Sequence, residues 1–279
     1  MASITFSAIS TKDVELKTIL NKGSFGNVYK TTHNGRPCAV KVLKCTTAKE
    51  QDDFNQEFDI LEHVSLANHA NIASVLPIYA QEDGIGMFFF GLAPFGSLDA
   101  LLNNRGGRLH TSHARFIFEQ ILEGLGFLHS IGVYHRDIKP ANILMQTPYE
   151  AKITDFGLSI KGAETPKVHD QSGTIPFIPP ELYTQGFFFA HAGDLWAAVV
   201  TYVMMCTGSI PWHAASQEDR EYYYFSQGAI DYLYPSWTPL GNGDLLKEVC
   251  SMLSEDPEAR RIPPKYKEAL NRYSSSSSR

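Results

Sequence analysis

The sequence predicts an α+β chain in two lobes, a small strand-rich N-terminal lobe with one main helix and a larger, mostly helical C-terminal lobe. Three observations carry this expectation. Up to about residue 90 the apolar residues fall in short runs, interrupted by one stretch of helical period. Gly91, Pro94 and Gly96 then cluster as turn residues, which marks a linker. Beyond it, residues 97–104, 113–130 and 193–207 carry helical spacing. The expected division is an N-lobe over about 1–91, a hinge over about 91–96 and a C-lobe over about 97–273, all within one domain spanning 1–273. Residues 274–279 form a Ser-rich tail.

Each element has its own justification. Residues 20–28 read as a strand, a glycine turn at Gly23 and Gly26, and a second strand. Residues 38–43 alternate, so Lys41 points away from the face that holds Val40 and Val42. Over residues 53–63, Phe54, Phe58 and Leu61 keep the i, i+4, i+7 spacing of a helix. Phe88, Phe89 and Phe90 form a continuous apolar strand, expected to be buried on both faces. The longest apolar run of the C-terminal half, residues 195–206, is too short to span a bilayer and reads as a core helix. A boundary between lobes offers a concave apolar pocket, so a ligand cleft is expected at the hinge.

The most specific signal lies in the middle of the chain. The run Tyr134, His135, Arg136, Asp137, Ile138, Lys139, Pro140, Ala141, Asn142 is followed, after twelve residues, by Asp155, Phe156, Gly157. This resembles the H-R-D-x-K-x-x-N loop and D-F-G motif of eukaryotic-type protein kinases. The resemblance implies a bilobal kinase fold and transfer of the γ-phosphoryl group of ATP. It implies that Asp137 orients and accepts the proton of the incoming hydroxyl, that Lys139 meets the γ-phosphate, and that Asn142 and Asp155 hold Mg²⁺ through hard oxygen atoms. Lys139 after Asp137 resembles the Ser/Thr branch, in which Thr174 bonds the catalytic Asp and Lys.

The resemblance extends toward the N-terminus. Gly23, Ser24, Gly26 and Val28 match a nucleotide-covering loop, although Asn21 stands where the family's first glycine is expected; asparagine tolerates positive φ better than most residues. Ala39 and Lys41 match the family's V-A-I-K strand, whose lysine grips the α- and β-phosphates. Its glutamate partner is expected to be Glu57, followed by Ile60 and Leu61 as in E-x-x-I-L, with Glu62 the competitor. Phe90 would guard the rear of the adenine pocket. Backbone groups near Gly91 and Ala93, together with Leu144, would complete it.

Later strings agree. Residues 173–181 resemble G-T-x-x-Y-x-A-P-E, with Phe177 for Tyr and Pro179 for Ala; Asp194, Leu195, Trp196 match D-x-W, and Asp256 to Arg260 match D-P-x-x-R. Arg260 is expected to pair with Glu181 in a buried, bidentate contact. The strings Ser172-Gly173-Thr174-Ile175-Pro176, Leu92-Ala93-Pro94 and Ile210-Pro211-Trp212-His213-Ala214-Ala215-Ser216 resemble the SH3-binding-domain kinase subfamily. The proline-rich tail behind that name is absent from this sequence, so SH3 binding is doubtful. Leu158 after the D-F-G motif favours Ser over Thr acceptors by family resemblance. Ala141, Ser97 and Met204 stand where Arg-seeking members carry acids. Asp170 lies three residues before Gly173, a common phosphosite position in the family. It could pair with Arg136 continuously; alternatively it is a solvated loop charge, and Ser172 or Thr165 is the switch.

Whole-chain numbers fit one catalytic unit. The chain has 279 residues, 43% of them apolar, enough for a sizeable core. A net charge of −6 gives no basic footprint for nucleic acid or anionic membrane. The four cysteines show no metal or disulfide spacing and read as reduced core thiols, with a cytoplasmic or nuclear location expected. No signal segment or myristoylation site is read at the start of the sequence. The chain is expected to act on protein substrates as a monomer. A pseudokinase scaffold and a small-molecule kinase remain as alternatives. The intact Lys41, Asp137, Asn142 and Asp155 argue against the first, and the peptide-docking look of 173–181 against the second.

Overall fold

Six strands build the N-lobe sheet: β1 (Ser7–Ala8), β2 (Ile19–Gly23), β3 (Gly26–His33), β4 (Arg36–Lys44), β5 (Val75–Glu82) and β6 (Ile85–Gly91), in the order β1-β5-β6-β4-β3-β2. The computed structural model describes residues 5–23, 26–66, 69–229, 237–240, 243–257 and 260. Neighbouring strands are antiparallel except β1, which lies parallel to β5. Asn34-Gly35 and Asp83-Gly84 close the β3–β4 and β5–β6 hairpins; two-residue turns of this kind match the twist of the strands. As expected, Phe88, Phe89 and Phe90 on β6 are buried on both faces.

Helix α1 (Ala48–Ser65) crosses the back of the sheet. It is longer than the 53–63 that periodicity supports, because a capping box starts it early. Thr47 accepts from the Glu50 backbone N–H, and Glu50 accepts from the Thr47 backbone N–H. Its apolar face, Phe54, Ile60, Leu61 and Val64, is buried, and Phe54 stacks on Phe88 with ring centroids 4.5 Å apart.

The C-lobe is mainly helical: α2 (Leu98–Asn104), α3 (Thr111–Ser130), α4 (Glu181–Gln185), α5 (Ala190–Thr207), α6 (Arg220–Ser226) and α7 (Asp244–Met252). Helix α5 is apolar on nearly every side because it is the buried axle of the lobe. Its Tyr202 stacks on Phe118 of α3 at 4.6 Å, and its Trp196 is fully buried. Three two-stranded pairs carry the functional loops: β7 (Val133–Tyr134) with β10 (Ile160–Lys161), β8 (Ile143–Thr147) with β9 (Glu150–Ile153), and β11 (Lys167–Val168) with β12 (Phe188–Phe189). One apolar core runs from Phe54 and Phe88 through Ile121 to Trp196 and Val249, so the two lobes share it. Among the described residues no helix is long and apolar enough to cross a membrane.

Candidate active site

The cleft expected at the hinge is present, with a volume of about 270 Å³. The sheet supplies its roof: Gly23, Gly26 and Val28 of the β2–β3 hairpin, with Ala39 and Lys41 of β4. Gly26 has φ +135°, and a side chain there would meet the Val42 carbonyl oxygen at 2.5 Å, so this position admits only glycine. Asn21 needs no such freedom. It sits in β2 opposite Val28 with ordinary extended geometry, which corrects the expectation that its tolerance of positive φ matters. Ser24 lies outside the described residues.

Phe90, Gly91 and Ala93 line the cleft at the end of β6 and in the hinge. The Gly91 N–H is committed to the Ser74 carbonyl at 2.9 Å, which leaves other hinge backbone groups to meet a ligand. Leu144 forms the floor because the end of the hinge pairs with β8: Phe95 N–H donates to Met145 O, and Met145 N–H to Gly96 O. Leu20, Leu92, Thr154 and Asp99 also line the cleft. Sequence reasoning missed them. Asp99 could have been found, since Ser97 caps α2 and places it in the first turn beside the hinge.

At the rear of the cleft Lys41 meets two carboxylates. Its Nζ donates to Glu57 Oε1 and Oε2 at 2.7 and 2.9 Å, and to Asp155 Oδ1 at 2.7 Å. The structure thus selects Glu57 over Glu62. Burial pulls the Lys41 pKa down, but the Glu57 and Asp155 charges outweigh it and raise it. Burial would lift the Asp155 carboxyl as well, yet Lys41 holds it below the usual carboxylate range. Glu57, wholly buried and sharing one cation with Asp155, is pushed up by that burial.

Helix α1 presents Glu57 while a polar stripe beside it reaches the C-lobe. Gln56 Nε2 donates to the Ser159 carbonyl at 2.9 Å, Asp59 pairs with Lys161 at 2.6 Å, and His63 bonds the Ile131 carbonyl at 3.1 Å. These residues, three and four apart, lie on one helical face. Their partners are distant in sequence, so no local signal could have found them.

The catalytic-loop residues converge on Asp137. Its Oδ1 accepts from Thr174 Oγ1 at 2.8 Å, while Oδ2 accepts from Asn142 Nδ2 at 2.9 Å and Lys139 Nζ at 2.7 Å. Lys139 also donates to Thr174 Oγ1 at 2.7 Å, so the threonine hydroxyl joins both side chains as expected. The backbone here is strained: Arg136 has φ 69° and Asp155 φ 66°. Asp194 of α5 holds the first in place. It accepts from the His135 N–H at 2.9 Å, the Arg136 N–H at 2.7 Å and His129 Nε2 at 2.9 Å. Burial would raise the Asp194 carboxyl, but these bonds keep it below its ordinary value.

The activation segment, 155–181, is anchored by several contacts. Arg136 Nη2 donates to Asp170 Oδ1 at 2.6 Å, and the Ser172 N–H donates to the same oxygen at 2.9 Å. At its far end Arg260 meets Glu181 through a single Nη2–Oε2 contact at 2.5 Å. The expected bidentate geometry is not formed. Arg260 Nε turns to the Ser254 carbonyl at 2.8 Å and the guanidinium lies over Trp196, 4.7 Å from the ring centroid, which draws the second arm away.

A divalent cation and a nucleotide fit this donor set. The Asn142 amide nitrogen is occupied by Asp137, leaving its oxygen to act as ligand beside the Asp155 carboxylate. Among the described residues no cluster of three or more His, Cys, Asp or Glu could hold a metal by itself. A site with one carboxylate and one amide oxygen suits Mg²⁺, which completes its shell with water and phosphate oxygens.

The model of the protein kinase domain matches residues 14–271, and the chain belongs to that family. It is 32% identical over 235 residues to the serine/threonine-protein kinase chk-1 of Caenorhabditis briggsae, covering 81% of this chain and 44% of that protein. It is 27% identical over 257 residues to CBL-interacting protein kinase 2 of Oryza sativa subsp. japonica, covering 89% and 55%. Against the serine/threonine-protein kinase hal4 of Schizosaccharomyces pombe the figures are 31% over 219 residues, 74% and 34%. The chain spans about half the length, or less, of the curated relatives it matches.

Proposed function

We propose that the chain is an ATP-dependent protein serine/threonine kinase, active on hydroxyls of protein substrates. The observation that carries this is the bond network centred on Asp137, joined through Asn142 to a cleft that also holds Lys41 of the Lys41–Glu57 pair. Asp137 Oδ2 is occupied by two donors and Oδ1 by one, so Oδ1 keeps a lone pair for the incoming hydroxyl. The residue works by orientation and by taking up the proton as the bond to phosphorus forms. Lys139 sits against the same carboxylate and offers its charge to the transferred group. Lys41, positioned by Glu57, binds the inner phosphates, and Gly23 and Gly26 let the backbone cover them. Bound at Asn142 and Asp155, Mg²⁺ supplies neutralisation of phosphate charge.

Several finer assignments belong to the same reading. The kinase domain takes in residues 1–273, followed by the Ser-rich tail. Leu158 supports a preference for serine acceptors. The short strings around Leu92, Ser172 and Ile210 support placement in the SH3-binding-domain kinase subfamily, though none of the relatives named above carries that name. A monomer in the cytoplasm or nucleus is the simplest setting for this domain. The test is phosphorylation of a peptide array with Asp137→Asn as control. That variant should keep ATP affinity while losing at least about 100-fold in kcat; transfer near the parent rate would overturn the assignment.

A further inference from the structure

Helix α1 is gripped at the edge of the sheet as well as toward the C-lobe, and the grip at the edge comes from the N-terminal segment. Strand β1 extends the sheet edge, with Ser7 opposite Ile78 and Ala8 opposite Tyr79 of β5. The Ile9 N–H donates to the Tyr79 carbonyl at 2.9 Å. Next along, the Glu82 carboxylate accepts from Ser10 Oγ at 2.7 Å and from Thr11 N and Oγ1 at 3.2 Å. Ile9 and Val14 pack on the buried cluster around Val40, Ala80 and Phe89.

This fastening carries Phe6 onto α1. Its ring meets Phe58 edge-on, centroids 5.3 Å apart and planes at 77°. Phe58 is in turn 4.8 Å from Tyr79 and 6.3 Å from Phe88, and Phe88 is the strand partner of Lys41 across β4 and β6. Successive residues of a helix are turned by about 100° from one another. A Phe58 ring held between Phe6 and the sheet therefore fixes the direction in which Glu57, its neighbour, points. A two-residue parallel ladder is weak by itself, so the aromatic contact and the Glu82 clasp do much of the fastening.

We propose that the N-terminal segment is an intramolecular strap that sets the position of α1. Phe6 is a positioning residue, acting through Phe58 to keep Glu57 against Lys41. The inference rests on the protein kinase reading and adds to it a residue outside the cleft. It is tested in the full chain with Phe6→Ala, Phe6→Tyr and Ile9→Pro, the last removing the N–H given to Tyr79. Phe6→Ala and Ile9→Pro should each lower kcat roughly fivefold, the scale of one aromatic contact, while Phe6→Tyr keeps the parent rate. In a Glu57→Gln background the same changes should have no further effect, because the pair they serve is already broken. Amide exchange read by mass spectrometry should quicken in α1 and stay unchanged in α3. An unchanged kcat, equal fold losses in both backgrounds, or unaltered α1 exchange would each overturn the proposal. A parent chain without phosphoryl transfer would overturn the kinase reading instead, and α1 exchange in Phe6→Ala would still decide the strap.

Discussion

Asp170→Ala should reduce kcat by about tenfold or more, and the structure sets that scale. The carboxylate takes a charge-assisted bond from Arg136 at 2.6 Å and a second bond from the Ser172 N–H at 2.9 Å. A charge-assisted bond contributes about 1.5–3 kcal/mol when sheltered. The Asp170 side chain is 59% exposed, and solvent screening reduces this to about 1 kcal/mol. The other partner adds to the loss. Arg136 is only 10% exposed, its Nε has no partner among the described residues, and its remaining bond to the Leu158 carbonyl is long at 3.4 Å. Leaving that guanidinium short of acceptors costs about 1–2 kcal/mol more. Some 2–3 kcal/mol withdrawn from the docked activation segment corresponds to about two decades in population at the upper end. The assay is steady-state phosphorylation by phosphatase-treated protein, which should keep most of its rate because no phosphate is needed at the segment. Arg136→Ala should match Asp170→Ala, and the double variant should be no worse than either. If phosphatase silences the parent chain while Asp170→Ala stays active, the switch is a phosphorylated hydroxyl such as Ser172 or Thr165, and the reasoning fails.

The remaining predictions follow from neighbouring features. Burial would raise the Asp170 carboxyl, but the Ser172 hydrogen bonds and the Arg136 charge hold it below its ordinary value. Its contribution is thus complete above the unfolded value of about 3.9 and is lost only as pH falls through the lower folded value. The Ser172 amide resonance should then hold steady from pH 7.5 to 5, where a phosphate would lose charge; a transition near pH 6 would count against the pair. Peptide arrays should show no strong choice of Arg two or three residues before the target, since Ala141, Ser97 and Met204 offer no carboxylate fork, and serine acceptors should lead. Burial pushes the Cys206 thiol up to about 12 and Cys250 up to about 11, so neither should be alkylated by iodoacetamide at pH 8 in native protein. Rapid labelling of either would show that the core opens more readily than its packing implies.

Much of the site was legible in the sequence because its parts are local. Asp137, Lys139 and Asn142 lie within six residues on one loop, so their spacing was enough to carry the resemblance to the kinase loop. The bond from Asn142 to Asp137 simply closes that loop. Glu57 could be preferred to Glu62 because it precedes Ile60 and Leu61 in the order the family uses, and both side chains are buried with it. The continuous Phe88–Phe90 run and the apolar α5 announced their burial directly, since each lacks a polar face to turn to water.

What only the tertiary structure decided are contacts between segments whose separation in sequence carries no periodic signal. Asp170 remained ambiguous until folding brought Arg136, 34 residues earlier, within 2.6 Å. The second carboxylate on Lys41 comes from Asp155, 114 residues away. Asp194 secures the strained Arg136 backbone from near the start of an apolar helix, where sequence shows only a conventional helix start. The parallel β1 is too short for an alternating pattern, and Phe6 and Phe58, 52 positions apart, meet only because β5 offers that strand an edge. Arg260 was expected to grip Glu181 with both arms, but its geometry is divided among Glu181, the Ser254 carbonyl and the face of Trp196. A sequence determines which groups can bond, whereas the competition among several partners for one side chain is settled only where all of them are packed together.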